Sequence, residues 1–266
     1  MSEFYPEAPR VAELFDFLIS ESAVQTEPTD AVLVFGRKSR HVADAAAQSL
    51  AAANTLVISG GYGGKDSGDL SLHGLSEAAW LAGQLAERDV LSPDLTVLLD
   101  ETAKTGVDNA RNGIALLRAV GQPEQLTGVA HATSALRLGA LLVREVGRSQ
   151  HNIPVTVRRS AYPFNPSNPY DQLEAAQEVA MVHRKKLADV PPDMAAYAAD
   201  LAQEHQRYFR LGRIANPSTA DDTDHFRRVA LGMLLPGTAE RGVRHRASFY
   251  GRNAFYLGRA AIRRLG

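Results

Sequence analysis

The chain has 266 residues, 45% of them hydrophobic and 22% charged, with a formal net charge of −1. This is ordinary globular composition, long enough to bury a substantial core in one large domain or two small ones. It contains no cysteine, which excludes disulfides and thiolate metal sites.

Met1-Ser2-Glu3-Phe4-Tyr5-Pro6-Glu7 has neither a basic n-region nor an apolar h-region, and no apolar run approaches a membrane span. A cytoplasmic protein without membrane contact is the expectation. Residues 7–20 suit an amphipathic helix, with Val11, Leu14, Phe15 and Leu18 on one face. The polar stretch Glu21–Thr29, containing Pro28, reads as a connection.

Five short apolar runs follow: Ala31–Phe35, Thr55–Ser59, Leu95–Leu99, Leu126–Ala130 and Ile153–Val157. Helical patterns separate them at His41–Ala53, Ser76–Arg88, Val107–Val120 and Ser134–Val146. The alternation predicts an α/β fold, a Rossmann-like parallel sheet of about five strands with flanking helices. In such sheets ligands bind at the carboxyl ends of the strands. The loops at those ends are Gly36-Arg37-Lys38-Ser39, Gly60-Gly61-Tyr62-Gly63-Gly64, Asp100-Glu101-Thr102, His131-Ala132-Thr133-Ser134 and Arg158-Arg159-Ser160.

Pro163-Phe164-Asn165-Pro166-Ser167-Asn168-Pro169 cannot continue a helix and marks the exit from the sheet. A helical pattern resumes over Tyr170–Ala188, and Pro191-Pro192-Asp193 restarts a helix that runs to about Arg210. The division is therefore 1–162, a Rossmann-like domain with an N-terminal helix, and 163–266, a helical C-terminal extension or lid. Residues 207–266 hold twelve arginines, no lysine and four acidic residues, a balance of +8 that leaves −9 on residues 1–206. Such a tail either docks on the acidic body or binds an anionic partner such as nucleic acid.

Gly60 and Gly61 permit close backbone approach to a ligand, but the run fits neither a P-loop nor a dinucleotide fingerprint. Glu77 opens a helix, where a carboxylate complements the dipole or faces the pocket. Thr105 and Asp108 have the spacing of a capping box. Capping accounts for neither Asn109, one turn into the helix, nor Glu101 at a strand tip. His131 stands at another strand tip with a pKa range suited to proton transfer. Arg137, in the first turn of a helix, opposes the dipole and invites an anionic ligand. The eight histidines show no HxH or HExxH spacing, so no metal is expected. Without a G-x-S-x-G elbow, an α/β-hydrolase is disfavoured.

From Asp30 to about Tyr162 the chain resembles the YdcF/SanA/ElyC-like bacterial proteins, a family without an agreed reaction. The resemblance rests on Asp30-Ala31-Val32-Leu33-Val34-Phe35-Gly36, Ile58-Ser59-Gly60-Gly61, Ser76-Glu77-Ala78, Glu101 with Thr105-Gly106-Val107-Asp108-Asn109-Ala110, and Val129 through Arg137. Asp108 replaces the family's usual Glu, Ser134 takes its usual His position, and His131 lies three residues earlier. Without an anchor, the chain is most similar to the YdcF-like members. The resemblance implies a Rossmann-like sheet with a polar cleft that draws in Thr105 and Ser134.

The expected function is binding of a small anionic or nucleotide-like ligand, S-adenosylmethionine among the candidates. Gly36, Arg37, Gly60, Gly61, Glu77, Thr105, Asn109, Ser134 and Arg137 would line the site. In an enzyme, Glu101 and His131 would be the acid/base pair and Arg137 the anion clamp. The alternative is a non-catalytic interaction protein whose arginine-rich tail binds nucleic acid or an acidic partner, with Phe249, Tyr250, Phe255 and Tyr256 as stacking surfaces.

Overall fold

The computed structural model describes residues 8–20, 29–62, 74–149, 153–210 and 262–264. Its sheet is built from β1 (Ala31–Phe35), β2 (Thr55–Ser59), β3 (Thr96–Asp100), β4 (Leu126–Ala130) and β5 (Val155–Arg159). Strands β1 and β4 are buried at every position, and β2 and β3 at all but the first. Near-continuous apolar runs are what a parallel sheet covered on both faces requires.

The order is β5-β4-β1-β2-β3, with every pair parallel. Strand parity divides the core in two. Val32, Val34, Leu56 and Ile58 pack with α2 (Arg40–Ser49) and α3 (Glu77–Glu87). Leu33, Phe35, Val57 and Leu98 pack on the other face with α4 (Gly106–Val120) and α5 (Ala135–Arg148). The chain winds from β1 outward through β2 to β3, then returns to the other side of β1 with β4. The crevice between β1 and β4 is thus the topological switch point of the sheet.

A third core joins α1 (Ala8–Ser20), α6 (Pro169–Arg184) and α7 (Pro192–Arg210). Val11, Leu14 and Leu18 of α1 are buried there with Ala175, Ala176, Val179 and Val182 of α6 and Ala198 and Leu201 of α7. Phe15 stacks on Phe164, ring centroids 4.2 Å apart. The N-terminal helix, grouped with the sheet by chain order, therefore packs with the helical extension.

Two strands lie later than the apolar runs suggest. Strand β3 moves by one residue and β5 by two, so Arg158 and Arg159 belong to the strand and not to its tail. Ile153 is buried in the core but precedes the paired residues, which run from Leu126 opposite Val155 to Ala130 opposite Arg159. An edge strand exposes part of its side chains, so its apolar run and its backbone pairing need not coincide.

Ile262–Arg264 forms a short sixth strand, β6, parallel to β3, within a tail expected to be helical throughout. Three residues carry too little pattern to betray a strand, and the pairing is made by the backbone. The expectations for residues 211–261, including the stacking aromatics and most of the basic charge, lie outside the described residues, as do those for Gly63 and Gly64. Among the described residues no helix is long and apolar enough to cross a membrane.

Candidate functional site

The carboxyl ends of β1 and β2 meet at two glycines. A Cβ on Gly60 would lie 2.6 Å from Gly36 Cα and 2.9 Å from Glu77 Cβ, so the two backbones approach as only glycine allows. The Gly61 and Gly60 carbonyls accept from the Glu77 and Ala78 N–H groups, each at 3.0 Å. These bonds seat the start of α3 on the end of β2 and hold the buried Glu77 over the glycine pair. Ser76 caps α3 by accepting from the Ala79 N–H at 2.9 Å.

The tips of β2 and β3 are joined through Asp100. Its carboxylate accepts from Ser59 Oγ at 2.6 Å and from the Thr102 N–H and hydroxyl at 2.9 and 2.7 Å. Burial opposes ionisation of Asp100, but the bonds from Ser59 and Thr102 outweigh it and hold the carboxyl below its ordinary value. At the next helix Thr105 accepts from the Asp108 N–H at 3.2 Å, and Asp108 Oδ2 accepts from the Lys104 N–H at 3.3 Å. The predicted N-cap is present, with Asp108 reaching back to the residue before the cap and to the Thr105 hydroxyl.

Beyond β4, a turn of 3-10 helix (Ala132–Ser134) links His131 to α5. Thr133 donates its hydroxyl proton to Glu174 of α6. That oxygen has no second proton, so its 2.9 Å contact with His131 Nδ1 requires the imidazole to carry hydrogen on Nδ1. Tyr162 packs against the same ring with centroids 4.5 Å apart and donates to Asp171 Oδ1, in the first turn of α6, at 2.6 Å.

Helix α6 covers the crevice. It begins at Pro169, with Asn168 accepting from the Tyr170 N–H at 2.9 Å. Two of its carboxylates, one turn apart, hold the two arginines of the switch point. Arg37 forks onto Glu174 at 2.5 and 2.8 Å, and Arg137 onto Glu178 at 2.6 and 2.8 Å. Burial pushes both carboxyls up. For Glu174 the Arg37 charge and bonds, aided by His131, prevail and hold it well below the ordinary carboxylate value. At Glu178 burial wins over Arg137, the Glu174 charge adds to the rise, and the carboxyl lies above its ordinary value.

Together these elements enclose one polar cavity of about 140 Å³. Of the residues expected from the sequence, Gly36, Arg37, Gly61, Glu77, Thr105, Asn109, His131, Ser134 and Arg137 all line it. Gly60 lies behind the lining, against Gly36 and Glu77. Glu101 is also outside it, its carboxylate accepting from Ser76 Oγ at 2.8 Å and so tying the β3 loop to the α3 cap. Thr105 both caps α4 and faces the cavity. The sequence reading missed Lys104, which lines the cavity, and the α6 pair Glu174 and Glu178. A signal for Glu178 exists: it lies within the apolar stripe formed by Ala175, Ala176, Val179 and Val182.

The structure thus defines a Rossmann-like α/β protein with a charged crevice at the switch point of its sheet, closed by a helix from outside the sheet. No protein-family model matches the chain, and no curated protein matches it.

Proposed function

We propose that this chain is a YdcF-like protein that binds a small anionic or nucleotide-like ligand, with S-adenosylmethionine a candidate, at the carboxyl ends of β1 and β4. One observation carries the reading. Side chains from the β1, β2, β3 and β4 loops, separated by as much as a hundred residues, converge on a single polar cavity at the switch point. Parallel sheets of this order bind ligands at that place, with backbone groups and a few polar side chains fixing orientation. Arg37, Lys104 and Arg137 supply positive charge, while Glu77 and Asn109 supply acceptors and an amide.

For a reaction, the proposed proton-transfer group is His131, which lines the cavity. The hydrogen on His131 Nδ1, directed at Thr133, fixes the orientation of the ring, as a proton-transfer group needs.

The test is native mass spectrometry of the purified full chain, followed by calorimetric titration with S-adenosylmethionine and with inorganic phosphate. Binding of either, weakened about tenfold or more by Asn109→Ala at nearly unchanged thermal stability, would support the cleft. Binding untouched by Asn109→Ala, or no binding of either compound, would overturn it.

A further inference from the structure

The two carboxylates on α6 repeat the same contact with different degrees of commitment. Glu174 is anchored on three sides: it holds Arg37 with both oxygens, accepts from Thr133, and lies 3.4 Å from His131 Nδ1. Glu178 meets Arg137 through a single fork, Nε to Oε2 at 2.6 Å and NH2 to Oε1 at 2.8 Å. Arg137 and Glu178 both line the cavity, whereas Glu174 does not.

A planar guanidinium gripping two oxygens in parallel is the geometry with which arginine takes a carboxylate or phosphate. Glu178 therefore occupies the position an anionic ligand would take on Arg137. The cavity beneath it, about 140 Å³, is well short of the roughly 300–1,000 Å³ of sites that enclose drug-sized ligands. With Glu178 in place the cavity itself takes a group of a few heavy atoms.

Resting on the reading that the cleft binds an anion, we propose that Glu178 is an internal stand-in for the ligand's oxyanion: a carboxylate or phosphate group displaces it from Arg137, while Glu174 keeps α6 anchored to Arg37. The like charge of Glu174, one turn away, disfavours Glu178 as an anion, and burial does the same. Glu178 is thus the more easily surrendered of the two. Its release frees the Arg137 fork and the space the carboxylate fills, so ligand entry and the loosening of this half of α6 are one event. Phosphate esters and free carboxylates share the chemistry that would do this.

Glu178→Gln and Glu174→Gln in the full chain test the assignment, with inorganic phosphate and acetate as separate calorimetric probes. Glu178→Gln, isosteric but uncharged, should tighten binding of at least one probe by about tenfold or more. Glu174→Gln should give no such gain. Affinity unchanged in Glu178→Gln, or tightened equally in both variants, overturns the proposal. A second readout needs no ligand: modification of Arg137 by a dicarbonyl reagent, followed by peptide mass spectrometry. Its rate should rise about tenfold in Glu178→Gln, as the fork opens, and an unchanged rate overturns the proposal. Failure of the cleft itself would look different. S-adenosylmethionine would then fail to bind, as would both probes, whereas binding of S-adenosylmethionine that Asn109→Ala weakens, together with an Arg137 modification rate unchanged in Glu178→Gln, would leave the cleft standing with the displacement disproved.

Discussion

The crevice has two walls built by different physics. The sheet wall, with Gly36, Gly60, Gly61, Glu77 and Thr105, is held by backbone hydrogen bonds, helix caps and glycine contacts. The α6 wall is held by two ion pairs over a separate apolar core shared with α1 and α7. Backbone bonds do not titrate, whereas a carboxylate–arginine pair is lost once its carboxylate takes up a proton. One wall is therefore a fixed template and the other is conditional on charge, a division suited to a site that must admit something.

The largest expected effect comes from undercutting the conditional wall. Leu14→Ala empties part of the third core and should cost about 2–5 kcal/mol. Hydrogen exchange should speed in α6 and α7 while β1 and β2 keep their protection. Equal loss in both would show that the walls unfold as one unit.

Next in size is the anchor. Glu174→Ala removes the carboxylate that grips the buried Arg37 and should cost about 3 kcal/mol, the lower end for a broken buried pair because the Glu174 side chain is 20% exposed. Urea denaturation measures this, and a loss below about 0.5 kcal/mol, within the range of an ordinary surface change, would remove the anchoring role.

On the fixed wall, Gly60→Ala drives a Cβ into the Gly36 backbone and should cost about 1–3 kcal/mol as overpacking. Its thermal stability should fall without any change in pH dependence. A neutral outcome would mean that the two strand ends can part freely, and the contrast between the walls would soften.

The smallest effects are in pH. Glu174 is held below its ordinary value when folded, so the stability it contributes is present above that ordinary value and is lost as pH falls through the lowered one. Glu178 has the opposite sign. Its contribution is fully present below the ordinary glutamate value and is lost as pH rises through the raised one. Denaturation series across these windows should lose the acid-side slope in Glu174→Gln and the upper slope in Glu178→Gln. Interchanged slopes would reverse the roles of anchor and displaceable group.

The sheet wall was legible in the chain because its determinants are local. A strand ending in Gly60-Gly61, a helix opening at Ser76-Glu77 and the Thr105–Asp108 spacing each announce themselves within a few residues. So do the five apolar runs, since a strand buried on both faces must be apolar along its length. Glu101 shows the limit: a carboxylate at a strand tip matches a site residue in pattern, but Ser76 captures it, and that partner is 25 positions away. Arg137 was singled out for an anion, and the anion it holds here is a side chain of the same protein, 41 positions along the chain.

The sequence by itself determined the parallel α/β architecture, the strand tips that carry polar groups and every polar sheet-side side chain of the cavity but Lys104. The reason is that periodicity, capping and glycine geometry are short-range. Tertiary structure alone decided that α1 packs with α6 and α7, that β6 adds to the edge beside β3, and that Glu174 and Glu178 close on Arg37 and Arg137. Charge pairing and helix docking depend on which surfaces meet after the chain has wound through the sheet, and no spacing along the chain encodes that meeting.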